Sequence, residues 1–173
     1  MTTQNKPASL RIVAACEQDV SLIFQFLGDL AEYEQLTKYC VTSEEQIRQA
    51  FFSPQPAAYA VLAYEGSNAV GIAVFFYTYS TFAGCRGLYL EDLYVKPEVR
   101  GKGVGRELLG YLARLGSAQG CNRMEWAVLD WNEQAIGFYQ NIGARPIEGW
   151  TVYRLGKEGL DELVSDQKND THR

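Results

Sequence analysis

A chain of 173 residues with 47% hydrophobic and 21% charged residues has ordinary globular composition, which excludes disordered and collagen-like classes and suits a single domain over 1–173. Its 16 Lys and Arg against 21 Asp and Glu leave a net charge of −5, which argues against a nucleic-acid partner but leaves room for a local basic loop that binds phosphate. No apolar run approaches the roughly 18 residues that span a bilayer, and no basic-then-apolar leader opens the chain, so a cytoplasmic protein without membrane contact is expected.

Residues 1–8 are polar and read as a flexible tail. Ser9 to Ala15 reads as a first strand, and Glu17-Gln18-Asp19 supplies acidic residues for a helix start. Leu22, Ile23, Phe26, Leu27 and Leu30 then recur at helical spacing through about Leu36. The end of that helix, Leu30-Ala31-Glu32-Tyr33-Glu34, carries two carboxylates and a phenol, ordinarily a solvated terminus. Thr42 or Ser43 with Glu45 or Gln46 resembles a capping box for a second helix, which Ser53-Pro54 stops.

Ala57 to Tyr64 and Ala69 to Tyr79, joined by Glu65-Gly66-Ser67-Asn68, predict a hairpin, and Ser80 to Gly84 turns the chain into a central strand from Gly87. That strand should end near Lys96, because Pro97 cannot donate to a sheet ladder. Gly101, Gly103 and Gly105 follow, and from Val104 the apolar positions 104, 108, 112 and 115 mark one face of a helix running to about 119. A helix start offers unpaired N–H groups and the positive end of a dipole. Glycine backbone there can close on a phosphate, with Arg100, Lys102 and Arg106 adding charge.

Arg123 to Leu129 predicts a strand parallel to the central one. Asn132-Glu133 can start a short helix that holds Phe138 and Tyr139 and ends at Gly143. Trp150 to Leu155 reads as a last strand, Gly159 to Val164 as a short helix, and 166–173 as a flexible tail. The arrangement is α/β (α+β), with a mixed, mostly antiparallel sheet flanked by helices.

Cys16, Cys40, Cys85 and Cys121 are far apart and form no CxxC pair, so reduced thiols are expected. The one histidine, His172, stands next to last. A Ser-His-Asp or Cys-His centre and a histidine metal site are therefore disfavoured, and no metal is expected. Catalysis has to use Tyr, Asp, Glu, backbone groups or a co-substrate.

The glycine loop fails two familiar phosphate patterns. A P-loop needs GxxxxGK followed by Ser or Thr, but Gly101-Lys102 is followed by Gly103 and position 96 is Lys. In the dinucleotide fingerprint GxGxxG the third glycine is replaced by Arg106 or Leu108. The remaining pattern, Arg100-x-x-Gly103-x-Gly105 between a strand and a helix, resembles the coenzyme A pyrophosphate segment of the GNAT superfamily of N-acetyltransferases. Phe76-Tyr77-Thr78-Tyr79, Leu88-Tyr89-Leu90-Glu91-Asp92, Trp131-Asn132-Glu133, Phe138-Tyr139 before Gly143-Ala144, Glu148-Gly149-Trp150 and Ala31-Glu32-Tyr33-Glu34 resemble the diamine acetyltransferase branch. Ser80, where the polyamine enzymes carry aspartate, together with Val128-Leu129-Asp130-Trp131-Asn132, is similar to the thialysine-acetylating members of that branch.

The resemblance implies a GNAT fold and transfer of acetyl from acetyl-CoA to a small primary amine, thialysine-like or diamine and polyamine. It also implies a homodimer. Backbone groups of Leu93, Tyr94 and Val95 would pair with pantetheine, and Arg100, Gly101, Lys102, Gly103, Val104, Gly105 and Arg106 would meet the pyrophosphate. Asn132 either bonds the co-substrate or caps its helix. Glu34, Ser80, Thr81, Glu91, Asp92, Leu129, Glu148 and Trp150 would line the acceptor site. Glu91, just before the donor loop, is the candidate base; the plain alternative is a surface carboxylate. Asp92 points to the opposite face unless a bulge intervenes, and the resemblance implies that bulge. Tyr139, otherwise a packing aromatic beside Phe138, becomes the candidate general acid. A non-catalytic acyl-CoA sensor and a protein or peptide N-acetyltransferase are the competing readings.

Overall fold

The computed structural model describes residues 9–170. It divides into two compact units, one up to Trp131 and one from Asn132 onward. The first unit is a five-stranded sheet in the order β1-β2-β3-β4-β5. Its strands are β1 (Leu10–Ala14), β2 (Tyr59–Glu65), β3 (Asn68–Ser80), β4 (Cys85–Val95) and β5 (Met124–Glu125). All neighbours are antiparallel except β4 and β5.

Helix α1 (Val20–Tyr33) and helix α2 (Glu44–Phe52) cover one face. Val20, Ile23, Phe26 and Leu30 of α1 and Ile47 of α2 bury against Ala60, Leu62, Ile72, Val74 and Tyr94 of the sheet. Those α1 positions repeat every three or four residues, so one stripe of the helix is removed from water. The helix stops at Tyr33 rather than Leu36. Gln35 takes φ +60, and Leu36 N–H reaches back to the Ala31 carbonyl at 2.8 Å, a Schellman closure built on a non-glycine residue. Helix α2 starts at the expected capping box, with Ser43 Oγ accepting from Gln46 N–H.

The other face carries α3 (Val104–Ala118), which buries Val104, Leu108, Leu109 and Leu112. Its approach requires Gly71. A Cβ there would meet the Tyr94 carbonyl oxygen at 2.9 Å and Leu108 Cδ1 at 3.3 Å. The central strand begins at Cys85, two residues before the expected Gly87, because the hairpin closes further along, with Ser80 opposite Cys85.

Strand β5 is shorter than the sequence reading predicts. Only Met124 and Glu125 pair with β4, opposite Leu88 and Tyr89, where a strand over Arg123 to Leu129 is predicted. Beyond Tyr89 the partner strand bulges, and a bulge bends and twists a strand away from its neighbour. The side of β4 facing β5 is thereby left without a strand partner among the described residues over Leu90 to Val95.

In the second unit, α4 (Glu133–Asn141) begins at Asn132, and α5 (Lys157–Asp170) closes the described chain. The predicted strand over Trp150 to Leu155 does not form: 151–156 has no regular structure. A single extended segment has no ladder to complete unless another strand lies beside it. Helix α5 continues past Val164 to Asp170, with Lys157 and Asp161 paired at 2.8 Å and Ser165 Oγ donating to the Asp161 carbonyl, so the predicted tail is helical that far. The tail expected over 1–8, and residues 171–173, lie outside the described residues. Among the described residues no helix is long and apolar enough to cross a membrane.

Candidate active site

The site in the first unit is built on β4 and on the glycine loop that leads from it into α3. Val74 of β3 stands opposite Asp92 while Phe75 stands opposite Leu90, so Glu91 is an inserted residue. This is the bulge that the resemblance implied. Regular alternation would put Leu90 and Asp92 on the same face. The insertion lets Leu90 stay buried beside Leu88, which packs at Gly116 of α3, while Asp92 turns with Val74 to the α1 face.

Two further carboxylates act on Asp92 through their charges. Burial pushes the Asp92 carboxyl up from its ordinary 3.8 to about 7, and the charges of Glu91 and Glu34 push the same way. Burial raises Glu34 as well. Glu34 is half-buried at the end of α1, whereas Glu91 is exposed in the bulge.

Asp92 lies about 10 Å along the strand from its last residue, Val95. There the glycine loop begins. Gly101 and Gly103 hold φ +76 and +89, backbone that costs a side chain roughly 1–2 kcal/mol. Among the described residues nothing lies within 4 Å of where a Cβ would stand on either glycine. Helices α2 and α4 are capped by Ser43 and Asn132, but among the described residues no side chain caps α3. Its first-turn N–H groups, on Val104, Gly105 and Arg106, face the open side of the loop without intrahelical partners. Lys102 and Arg106 are exposed, and among the described residues neither forms an ion pair with Asp or Glu. Bare donors, a dipole end and free cations together fit a pyrophosphate.

Arg100 is placed differently from those two. Its Nε donates to the Val95 carbonyl at 2.9 Å, and its guanidinium lies over the Tyr33 ring. Lys96 N–H donates to Val70 on β3, so strand alternation turns the backbone groups of Tyr94 toward β3 and those of Leu93 and Val95 toward the open edge.

Ser80 and Thr81 are not gathered with the carboxylates. Ser80 stands roughly 20 Å along β3 from Val74 at about 3.3 Å per residue. Its hydroxyl accepts Ala83 N–H at 3.2 Å within its own turn, and Thr81 is exposed there. Leu129 is half-buried after β5.

In the second unit, Asn132 Oδ1 accepts Ala135 N–H at 3.1 Å and caps α4. Tyr139 is half-buried on α4 with its ring 5.3 Å from that of Phe138. Glu148 is exposed, and Trp150 is 79% exposed. Sequence reading missed the aromatic pair Tyr33 and Trp131, whose ring centroids are 6.2 Å apart at the end of α1. The available signal was that Tyr33 sits between two glutamates at a helix end.

Residues 25–144, which include the bulge, the loop and Tyr139, match the Acetyltransferase (GNAT) family. The chain belongs to the GNAT acetyltransferase family. It is 38% identical over 168 residues to a thialysine N-epsilon-acetyltransferase of Sus scrofa, covering 91% of this chain and 98% of that protein. It is 28% identical over 159 residues to a spermidine/spermine N(1)-acetyltransferase-like protein of Homo sapiens, covering 86% of this chain but 23% of the human one. Among solved structures, an integron cassette protein from the mobile metagenome of V. cholerae superposes with a TM-score of 0.76 at 27% identity, over 90% of this chain and 98% of that one. The mostly antiparallel sheet flanked by helices is thus the GNAT fold.

Proposed function

We propose that this GNAT enzyme transfers acetyl from acetyl-CoA to a primary amine of a small cationic acceptor, a thialysine-like or lysine-like amine first and diamines or polyamines second. The observation that carries the reading is the spacing on β4. A glycine loop and uncapped helix suited to pyrophosphate come, within about one short strand segment, after a half-buried carboxylate whose pKa is raised to about 7. The name of the porcine relative supports the order of acceptors.

Acetyl-CoA supplies a thioester carbonyl that a neutral amine attacks, with loss of the thiolate. An alkylamine of pKa near 10.4 is only about 0.04% neutral at pH 7, so the site has to accept a proton. The Glu91–Asp92 pair is assigned this work. Its half-buried member, Asp92, is poised near neutral pH, while Glu91 in the exposed bulge can pass the proton to water. Glu34 adds negative charge that attracts the ammonium form of the acceptor. Tyr139 is assigned the proton that the departing sulfur takes up, since a phenol stays protonated at neutral pH.

Leu93 and Val95 offer the open strand edge to the pantetheine amides. Gly101 to Arg106 hold the pyrophosphate. Ser80, with Thr81, Leu129, Glu148 and Trp150, is assigned to selection among acceptors; an aspartate at 80 would repel the α-carboxylate of an amino-acid acceptor, and a serine would not.

The two units form one domain in this reading, which the family match across Trp131 supports. A homodimer is supported by the exposed 150–155 segment, where Val152 is 95% and Tyr153 91% exposed and no strand partner exists among the described residues. A cytoplasmic setting suits four free cysteines. The decisive experiment is free-thiol release from acetyl-CoA against a panel of thialysine, lysine, putrescine, spermidine and peptide amines. Amine-dependent release with small amines is expected. Release only with peptides, or none with any amine, overturns the proposal.

A further inference from the structure

We propose that Arg100 is a positioning residue that clamps the start of the glycine loop to the C-terminal end of α1, so that the donor seat and the acceptor carboxylates are held as one body. Its guanidinium carbon lies 4.4 Å from the centroid of the Tyr33 ring and 5.6 Å from that of Tyr94, while its Nε donates to the Val95 carbonyl. No Asp or Glu among the described residues forms an ion pair with it. The cation is thus engaged by two aromatic faces and one backbone oxygen.

Each contact has a distinct mechanical effect. The bond to Val95 ties the loop to the end of β4 and occupies an acceptor on the strand's open edge. Tyr94 is 7% exposed and packs on Phe26 of α1 at 6.1 Å, so one ring under Arg100 belongs to the core. Tyr33 also meets Trp131, so the other ring is braced from the side. Only a planar guanidinium can lie flat on a ring while donating sideways from Nε; a lysine ammonium supplies the charge but not both contacts.

Adjacency in the chain gives the clamp its effect. Arg100 immediately precedes Gly101, the first left-handed residue of the loop, and Tyr33 immediately precedes Glu34, whose charge acts on Asp92. A shift at Tyr33 therefore moves a loop residue and an acceptor-side carboxylate together. Phosphate charge is left to Lys102, Arg106 and the bare N–H groups of α3.

This inference rests on the loop being the coenzyme A seat. The test titrates coenzyme A calorimetrically into the wild-type protein, Tyr33→Phe, Tyr33→Leu, Arg100→Lys and the Tyr33→Leu/Arg100→Lys double variant. Apparent KM values for acetyl-CoA and for the amine are measured separately from kcat. Tyr33→Phe keeps the ring and should bind within about twofold of wild type, whereas Tyr33→Leu and Arg100→Lys should each bind about tenfold more weakly. The double variant should be no weaker than the weaker single one, because both remove the same contact. The amine KM should rise in both single variants with kcat within about threefold.

If Arg100→Lys binds as wild type, if the two effects add, or if the amine KM does not move, the clamp is wrong. Should Tyr33→Leu fail to fold by circular dichroism, Arg100→Lys alone decides, through its effect on both KM values. Wild-type protein that binds no coenzyme A overturns the loop reading and the clamp with it. Wild-type binding that the variants leave unchanged overturns only the clamp.

Discussion

Asp92 pairs with Val74 across the sheet, while its neighbour Glu91 has no partner on β3. That one inserted residue reverses the facing of β4. Before it, Leu88 and Leu90 serve the hydrophobic layer under α3; after it, Asp92 and Tyr94 serve the α1 side. Two consecutive carboxylates consequently receive different environments, one exposed and one half-buried. Divergent environments are how a single segment holds an acid and a base at the same pH.

The first prediction concerns rate against pH. Asp92 is protonated below about pH 7 and ionised above it, so kcat/KM for the amine should rise with pH and inflect near 7. Asp92→Asn should remove that inflection and lower kcat/KM by about a hundredfold. A variant profile that still inflects near 7 would move the proton acceptor elsewhere.

Stability should move in the opposite direction. The folded Asp92 pKa is raised above its unfolded value, so the folded state holds the extra proton between about pH 4 and 7. The associated stability is fully present below the unfolded pKa and is lost as pH rises through the folded one. At pH 8 Asp92→Asn should therefore be more stable than wild type, by up to about 4 kcal/mol for a shift of this size. At pH 4 the difference should nearly vanish. Urea denaturation at the two pH values measures it.

Tyr139→Phe should lower kcat by about a hundredfold while coenzyme A affinity stays within about twofold, because the ring is kept and only the hydroxyl is removed. Unchanged turnover would return Tyr139 to a packing role beside Phe138.

Gly103→Ala tests the loop. With φ +89 and open space around it, the penalty is conformational rather than steric. The variant should lose roughly 1–2 kcal/mol of stability and show a KM for acetyl-CoA about tenfold higher, with the amine KM little changed. Thermal unfolding and initial-rate kinetics read the two effects.

Ser80→Asp asks where selectivity lies. An aspartate can still accept Ala83 N–H, so the turn should survive. The ratio of kcat/KM for spermidine over thialysine should rise at least about tenfold. A ratio that stays constant removes Ser80 from the acceptor site and leaves it as a turn residue.

The elements that could be read from the chain alone are those whose causes lie within a few residues. The Ser43–Gln46 box, the Asn132 helix start, the hairpin and the glycine loop running into α3 all depend on local torsions and on hydrogen bonds between near neighbours. The glycine loop could also be read as a seat suited to an anion, since bare N–H groups at a helix start need no distant partner. Tertiary structure decided everything that depends on the residues lying opposite. Whether Glu91 or Asp92 is enclosed depends on the register against β3, β5 is short because its partner bends away, and the Trp150 to Leu155 stretch is no strand without a neighbour. Arg100 reads as one more cation in a basic loop until the fold brings Tyr33, distant in the chain, under its guanidinium. Burial and electrostatic coupling are sums over neighbours in space, and a linear sequence does not state who those neighbours are.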